Sequence, residues 1–319
     1  MRAAALLALL PATLAAQDRP ALTWPVDCIL GQSCYIQNLM DRDPGPGARD
    51  AECLSRTYDG HNGTDIALPT LADQARGVSV RAVLPGTVLA LRDGMEDRLR
   101  TPDGQGPDIA GRECGNGVLL RHADGWESQY CHMEQGSLTV AEGDQVAAGQ
   151  VLGRIGLSGN TEFPHLHIVL RRDGVAIDPF DPDGSWTCGE APAPALWADP
   201  VALPSGGFLD AGLARAVPEM AALTAGPLDM APGRDTPLVL WAYYHGLEPG
   251  DEIALLIEGA EGVLFETREA LDSGLARGFR AGGRRAPDGG WPPGRMRGTV
   301  RLLRNGEEID RREVAIDLD

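Results

Sequence analysis

The chain has 319 residues, a formal net charge of −18 and a hydrophobic fraction of 43%. Its 28 basic residues are all arginine and do not balance 46 acidic residues. Nucleic acids and anionic membranes attract clustered positive charge, so this composition argues against both as partners. The length exceeds what one hydrophobic core usually holds, and we therefore expect two domains. The 41 glycines and 24 prolines, with little helical periodicity, predict a mainly β fold with many turns.

The chain begins with the pattern of a secretory signal peptide. Arg2 is followed by an apolar run that ends near Leu14 and then by the small residues Ala15 and Ala16. This run is too short to span a bilayer stably. We expect residues 1–16 to be removed by cleavage after Ala16. The mature chain is then predicted to have no membrane span and to be periplasmic or secreted.

Six cysteines in an exported chain predict up to three disulfides. Cys28 and Cys34 bracket a short segment, and closing so small a loop stabilises by about 2 kcal/mol in the chain-entropy model. Cys114 and Cys131 flank a predicted hairpin and are the second expected pair. Elimination leaves Cys53 with Cys188. A structural zinc site is the competing interpretation, but the sequence has no Cys-x-x-Cys pair to favour it.

The N-terminal half divides into two predicted regions. Residues 17–54 are expected to be an irregular leader, because 41–50 (DRDPGPGARD) is rich in proline and glycine. Residues 55–182 alternate short apolar runs with glycine turns, which predicts a β domain, and a hairpin turn is expected near Asp124 and Gly125. The polar loop 92–115 inside this domain is long, and such loops are usually functional or mobile.

The C-terminal half also divides into two predicted regions. Residues 183–206 have the alanine and proline content of a linker. Residues 207–319 show alternating apolar positions and an Asn305-Gly306 turn of the kind that closes two-residue hairpins. Short strands with frequent turns predict a small β-sandwich. We expect this domain to fold as a separate unit and to serve in positioning or in binding a protein partner. His245 is assigned no role.

Two pairs of polar residues suggest a metal site. His165 and His167, in the stretch TEFPHLHIVL, are two positions apart in a predicted strand, so both imidazoles point to one face. His61 and Asp65, in HNGTD, are four positions apart across a glycine, and a tight turn can bring both to one ion. Each pair also has an ordinary interpretation, as a polar strand face or as a turn with a capping aspartate.

A third histidine lies on the second strand of the hairpin, in QYCHM. Cys131 and His132 are adjacent in that strand and are expected to point to opposite faces. A disulfide at Cys131 would then brace the back of the strand, while His132 faces the groove. His122, on the other hairpin strand, is interpreted as structural.

Three motifs in this order, HNGTD, QYCHM and PHLHIVL, with a glycine-rich stretch before the last, carry a family resemblance. Residues 55–182 resemble the LytM and lysostaphin-type zinc metallopeptidases, which cut peptide cross-links of bacterial peptidoglycan. The resemblance implies an antiparallel β-sheet peptidase domain with a groove. Two departures concern no ligand: Cys131 and Met133 stand where the family often has alanine and leucine, and the loop 92–115 is longer than expected.

The resemblance also implies roles for individual residues. His61, Asp65 and His167 would bind Zn²⁺, and His132 and His165 would be the catalytic pair. Zinc in such a site lowers the pKa of a bound water to about 7 and polarises the scissile carbonyl. The unligated imidazoles would then orient or deprotonate the water and stabilise the oxyanion.

Two functions from different classes follow from the sequence. The first is a zinc metalloendopeptidase that hydrolyses peptide cross-links of peptidoglycan in a bacterial periplasm or outside the cell. The second is a non-catalytic scaffold of the same fold that activates another cell-wall hydrolase. Because all five motif positions are filled, the sequence favours the enzyme. A toxin or protease directed at other cells is a minor third hypothesis.

Overall fold

A computed structural model describes residues 19–100, 109–187, 194–203 and 205–319. The predicted signal peptide, part of the loop 92–115 and Cys188 therefore lie outside the described residues. The described residues form two groups of β-sheets with separate hydrophobic cores, and every named pair of strands is antiparallel.

The N-terminal domain contains ten strands and one short helix among the described residues. These are β1 Tyr35–Asn38, β2 Thr64–Ala67, α1 Leu71–Ala75, β3 Ser79–Arg81, β4 Gly86–Arg92, β5 Asn116–Arg121, β6 Trp126–Met133, β7 Gln145–Val146, β8 Val151–Arg154, β9 His165–Arg172 and β10 Val175–Ile177. Eight strands form one sheet: seven have the order β1-β2-β9-β6-β5-β4-β7, and β10 pairs with β9. Strands β3 and β8 form a separate pair. The central strands β2, β9 and β6 carry the candidate site.

Alternation along the central strands separates the core from the groove. In β9, Leu166, Ile168 and Leu170 enter the hydrophobic core, while the intervening positions begin with His165 and His167. This is the two-residue period of a strand with one apolar face. The hairpin between β5 and β6 turns at Asp124 and Gly125, which both have positive φ, as a tight two-residue turn requires.

The predicted leader, residues 17–54, is more ordered than expected because part of it belongs to the main sheet. Strand β1 pairs with β2, and Ile36 and Leu39 are buried in the core. The prediction of an irregular segment was therefore wrong for residues 35–38. It gave weight to the proline and glycine residues at 41–50, which follow the strand, and overlooked the apolar residues before them.

The described part of the predicted linker, residues 183–206, is also held in place. Leu196 and Trp197 belong to the N-terminal core, and the Trp197 ring meets Trp24 at 5.2 Å between centroids. The Leu22 amide donates to the Leu196 carbonyl at 2.7 Å. Burial of the large apolar side chains of Leu196 and Trp197 stabilises this segment, although the alanine and proline residues around them are typical of a linker. The boundaries of the linker stay a prediction.

The C-terminal domain is a sandwich of two sheets, as predicted. Its elements are β11 Gly207–Ala214, α2 Met220–Ala225, β12 Leu238–Leu247, β13 Glu252–Gly259, β14 Gly262–Ala270, β15 Leu275–Arg284, β16 Gly294–Arg304 and β17 Glu307–Leu318. One sheet has the order β11-β12-β15 and the other β14-β13-β16-β17. A second hydrophobic core fills the space between them. The predicted hairpin turn at Asn305 and Gly306 joins β16 to β17, with positive φ at both residues.

Two of the three predicted disulfides are present. Cys28 is bonded to Cys34, and Cys114 to Cys131. The third predicted pairing involves Cys188, which lies outside the described residues, and it stays a prediction. Neither helix among the described residues is long and apolar enough to cross a membrane.

Candidate metal centre and active site

His61, Asp65 and His167 meet at one point on the main sheet. Strands β2 and β9 pair with Asp65 opposite His167, and His61 reaches the same place from the turn before β2. The three nearest donor atoms are His61 Nε2, Asp65 Oδ1 and His167 Nδ1. His61 Nε2 lies 3.2 Å from Asp65 Oδ1 and 3.2 Å from His167 Nδ1, and His167 Nδ1 lies 2.8 Å from Asp65 Oδ1.

The glycine in the HNGTD motif makes this approach possible. A Cβ atom at Gly63 would lie 2.5 Å from the carbonyl oxygen of Ile168 and 2.8 Å from Cε1 of His167. Contacts this short cannot be accommodated without moving the backbone or the imidazole. Gly63 therefore lets β2 and the preceding turn pack closely against the ring of His167.

The three donor atoms fit a divalent cation with nitrogen and oxygen ligands. His61 Nδ1 is 2.6 Å from the Leu39 carbonyl and must donate to it, which leaves a lone pair on Nε2 when the ring is neutral. Tetrahedral zinc with ligands at its usual distance of about 2.0 to 2.1 Å needs ligand atoms about 3.3 Å apart. The observed separations are close to this value. A cation at the common centre would satisfy all three atoms at once.

The electrostatics of the three residues also suit a cation. Burial raises the pKa of Asp65, but the neighbouring His165 imidazole and the hydrogen bonds of His167 and His61 outweigh it and hold the pKa well below its ordinary value. Burial lowers the pKa of His61, but the adjacent Asp65 carboxylate reverses this and raises it. A proton therefore competes with a metal for His61, as is general for metal ligands.

His132 and His165 lie beside this cluster. Their ring centroids are 4.6 Å apart, and His165 Nε2 lies 3.6 Å from Asp65 Oδ1. His132 Nδ1 donates to the Ser158 carbonyl at 2.8 Å, and His165 Nδ1 donates to the Phe163 carbonyl at 2.9 Å. Because Nδ1 carries the proton in both rings, Nε2 is the atom that can accept a proton.

Both of these imidazoles are held in the neutral form. Burial lowers the pKa of His132, and the neighbouring His165 and His167 lower it further, to well below its ordinary value. Burial likewise lowers the pKa of His165, although the Asp65 carboxylate partly opposes this. Neutral imidazoles with a free Nε2 are suited to act as general bases at neutral pH.

The orientation expected for Cys131 and His132 was wrong. Cys131 does not lie at the back of the strand, since both residues line the same groove. The strand alternation is interrupted by a register shift between β5 and β6 near Asn116 and by a left-handed backbone at His132, with φ of 61°. Such a bulge can direct two successive side chains to one face.

The groove beside the metal cluster has a volume of about 250 Å³. Its lining is largely polar and includes one acidic and one basic side chain. The residues around the histidines are Tyr58, Asn62, Glu113, Gln129, Asn160, Val169 and Arg171. Val169 and Arg171 continue the face of β9 that carries His167, so the groove extends along this strand.

Several groups that position the site were missed in the sequence. Asn38 Nδ2 donates to Asp65 Oδ2 at 2.7 Å, and the Leu39 carbonyl orients His61. Both lie in the predicted leader, where the apolar residues Tyr35 and Ile36 were the available signal for a strand. The carbonyls that orient His132 and His165 belong to loop residues and leave no sequence pattern. Outer partners of this kind fix the tautomer and orientation of a ligand.

His122 lies apart from the cluster, in a buried network. Its Nδ1 donates to the Pro85 carbonyl at 2.8 Å, and its Nε2 is 2.7 Å from Ser128 Oγ. Ser128 in turn contacts the hydroxyl of Tyr130. This network joins β6 to the segment before β4, in keeping with the structural role predicted for His122.

His61, Asp65 and His167 thus form a donor set that could hold a divalent cation, with His132 and His165 beside it. Residues 59–179 match Peptidase family M23, and the chain thus carries a domain of this family, as the LytM and lysostaphin resemblance predicted.

Curated relatives match part of this chain, and the chain spans less than a quarter of the length of each of the two relatives described here. The DD-carboxypeptidase/endopeptidase Mpg of Neisseria meningitidis is 31% identical over 128 residues, which are 40% of this chain and 23% of that protein. The cell division protein DipM of Caulobacter vibrioides is 34% identical over 109 residues, 33% of this chain and 16% of DipM. The catalytic domain of the antimicrobial peptidase lysostaphin from Staphylococcus simulans is 24% identical, with a TM-score of 0.28, covering 43% of this chain and 86% of that structure.

Proposed function

We propose that this protein is a zinc metalloendopeptidase that hydrolyses peptide cross-links of bacterial peptidoglycan, in the periplasm or outside the cell. The observation that carries the proposal is the triangle of His61 Nε2, Asp65 Oδ1 and His167 Nδ1, with sides of 2.8 to 3.2 Å. The match to Peptidase family M23 supports a peptidase, and the name of the Mpg relative supports a DD-peptide substrate.

His61, Asp65 and His167 would hold the ion. Zinc in such a site polarises a scissile carbonyl and makes a water molecule more acidic. His132 and His165 act at the open side, where Nε2 of one ring accepts the proton of the attacking water. That ring, now protonated at both nitrogens, can give the proton to the leaving amine or stabilise the developing oxyanion by a hydrogen bond.

The groove supports a peptide as the substrate. Glu113 and Arg171 place opposite charges in its lining, which suits a peptide that carries free amino and carboxylate groups. The largely polar surroundings of the histidines also favour a hydrated peptide over an apolar ligand.

Mass analysis of muropeptides tests the proposal and identifies the bond. Purified mature protein with zinc is incubated with isolated peptidoglycan, and the released fragments are compared with those of a sample without protein. We expect cross-linked muropeptides to decrease and their monomers to increase. If no cross-link is cut, but a separate wall hydrolase is stimulated, the non-catalytic scaffold is correct instead.

A further inference from the structure

The three-stranded sheet of the C-terminal sandwich has a buried outer face, which is covered partly by α2 and the segment after it and partly by the N-terminal domain. All ten residues of β12 are buried. Leu240, Ala242 and Tyr244 point into the core between the two sheets, so the intervening residues Trp241, Tyr243 and His245 point the other way. Because this second face is buried too, the three-stranded sheet is covered on both sides.

Part of that cover is strand β1 of the N-terminal domain. Tyr35 and Gln37 both contact the C-terminal domain, although a register shift interrupts the alternation of β1 between Ile36 and Asn38. The Tyr35 ring meets the His245 ring at 4.4 Å between centroids, and Gln37 Nε2 donates to the Ala276 carbonyl at 3.1 Å. The strand that pairs with β1 carries Asp65, so the interface lies one strand away from the metal cluster.

Arg277 extends this interface to a catalytic histidine. Its guanidinium lies over the Phe163 ring, 4.5 Å from the centroid. The Phe163 ring is stacked on the His165 ring, with 4.4 Å between centroids and 26° between planes. The Phe163 carbonyl also accepts the hydrogen bond from His165 Nδ1. Phe163 thus contacts His165 through both its ring and its backbone.

Arg277 itself is held by the C-terminal sheet and by the interface. It lies opposite His245 in the pairing of β12 with β15. Burial raises the pKa of Tyr243, and the positive charge of Arg277 partly offsets this rise. The guanidinium is therefore close to the Tyr243 hydroxyl. A cation fixed over an aromatic face is attracted to it more strongly where both groups are partly removed from water.

We propose that Arg277 is a positioning residue and that, through it, the C-terminal domain helps to hold His165 in its catalytic orientation. This inference rests on the proposed peptidase function. It gives the C-terminal domain a part in the active site, whereas the sequence predicted a separate unit for positioning or for binding a protein partner. The cation–π contact fixes the Phe163 ring, and Phe163 fixes the plane and tautomer of His165. Small displacements of a general base are costly because proton transfer needs a defined geometry.

Kinetics of the full-length protein test the proposal. We expect Arg277→Met to lower kcat by about tenfold, with KM changed by less than about twofold and zinc content unchanged. The substitution removes the cation–π contact with Phe163, and a loss of about tenfold matches the usual strength of such a contact. Arg277→Lys, which keeps the cation, should recover most of kcat. Arg284→Met is the matched control, since Arg284 is exposed on the same strand, and should leave kcat unchanged.

A second readout does not depend on metal or turnover. In metal-free protein, amide hydrogen exchange of residues 161–168 should be faster in Arg277→Met than in the wild type or Arg284→Met. The Arg277→Met, Phe163→Leu double variant should have the same kcat as Phe163→Leu alone, because both substitutions remove the same contact, the one between Arg277 and Phe163.

Unchanged kcat and exchange in Arg277→Met would overturn the proposal, as would additive losses in the double variant. Loss of zinc in Arg277→Met would also overturn it, because the effect would then act through the metal ligands. An inactive wild type would contradict the proposed function instead, and the exchange experiment would still decide whether Arg277 orders the segment.

Discussion

At the scale of single residues, the site is organised by what each imidazole nitrogen contacts. His61, His132 and His165 each donate from Nδ1 to a backbone carbonyl. His167 is different, since its Nδ1 is directed at Asp65. Two histidines that are adjacent on one face of a strand can therefore have different roles, one as a metal ligand and one as a base.

Substitution of these two histidines should separate the roles. We expect His167→Ala to lose both zinc and activity, because it removes one of three ligands. His165→Ala should keep near-stoichiometric zinc and lose most turnover, by about a hundredfold or more, as is usual for a general base. Zinc analysis of both purified variants, with turnover measured in parallel, checks this. A metal-free His165→Ala would show that the division of the pair is wrong.

The sequence predicted which residues meet, but not what orients them. The spacing of His165 and His167, and of His61 and Asp65, indicated which side chains of each pair lie together, because strand alternation and a glycine turn are local properties, and the family resemblance implied that the two pairs meet. Asn38 and the carbonyls of Leu39, Ser158 and Phe163 could not be predicted in the same way. Every residue has a carbonyl, and only the folded chain determines which carbonyl lies beside an imidazole.

At the scale of elements, the end of β6 is where local pattern and structure differ. The left-handed φ of His132 costs on the order of 1 kcal/mol or more for a residue other than glycine. The chain is held there by the Cys114–Cys131 disulfide and by the His132 amide, which donates to the Cys114 carbonyl at 2.8 Å. Regular alternation predicts neither the bulge nor its effect on His132.

Removal of that disulfide should affect turnover as well as stability. We expect the Cys114→Ala, Cys131→Ala double variant to lose about 3 kcal/mol in the free energy of unfolding and about tenfold or more in kcat, because His132 loses its support. The Cys28→Ala, Cys34→Ala variant is the control and should lose about 2 kcal/mol with kcat retained. Urea unfolding and turnover assays measure both. Equal kcat in the two variants would contradict a role for the disulfide in placing His132.

At the scale of the whole molecule, the N-terminal and C-terminal hydrophobic cores are connected by an interface that the sequence did not predict. The mainly β fold and the C-terminal β-sandwich followed from the turns and the alternation of apolar residues. The interface did not, because β12 is apolar on both faces and sequence alone cannot say which element covers the second one. His245, which was assigned no role, lies in this interface against Tyr35.

The interface makes stability depend on pH through His245. Burial, with a contribution from the charge of Arg56, lowers the pKa of His245 to about 3, against about 6.5 in the unfolded chain. Between these values only the unfolded chain binds the proton, so stability falls as the pH decreases below about 6.5. The loss is about 1.4 kcal/mol per pH unit at most.

Comparison with a variant that cannot titrate isolates this effect. Between pH 6.5 and pH 5, the wild type should lose about 2 kcal/mol more free energy of unfolding than His245→Gln. Urea unfolding of both proteins measures it. The comparison is necessary because Asp178, whose pKa is raised by burial to about 6, stabilises the fold on acidification and acts alike in both proteins. Parallel pH dependences would contradict the account.

The most direct test of the proposed function is the metal dependence of cross-link cleavage in the wild type and in Asp65→Ala. A strong chelator should abolish the release of cross-linked fragments by the wild type, and added zinc should restore it. Asp65→Ala should remain inactive with added zinc, because only two protein ligands are left to hold the ion. Cleavage that persists in the chelated wild type or in zinc-supplemented Asp65→Ala would contradict a zinc site built from His61, Asp65 and His167.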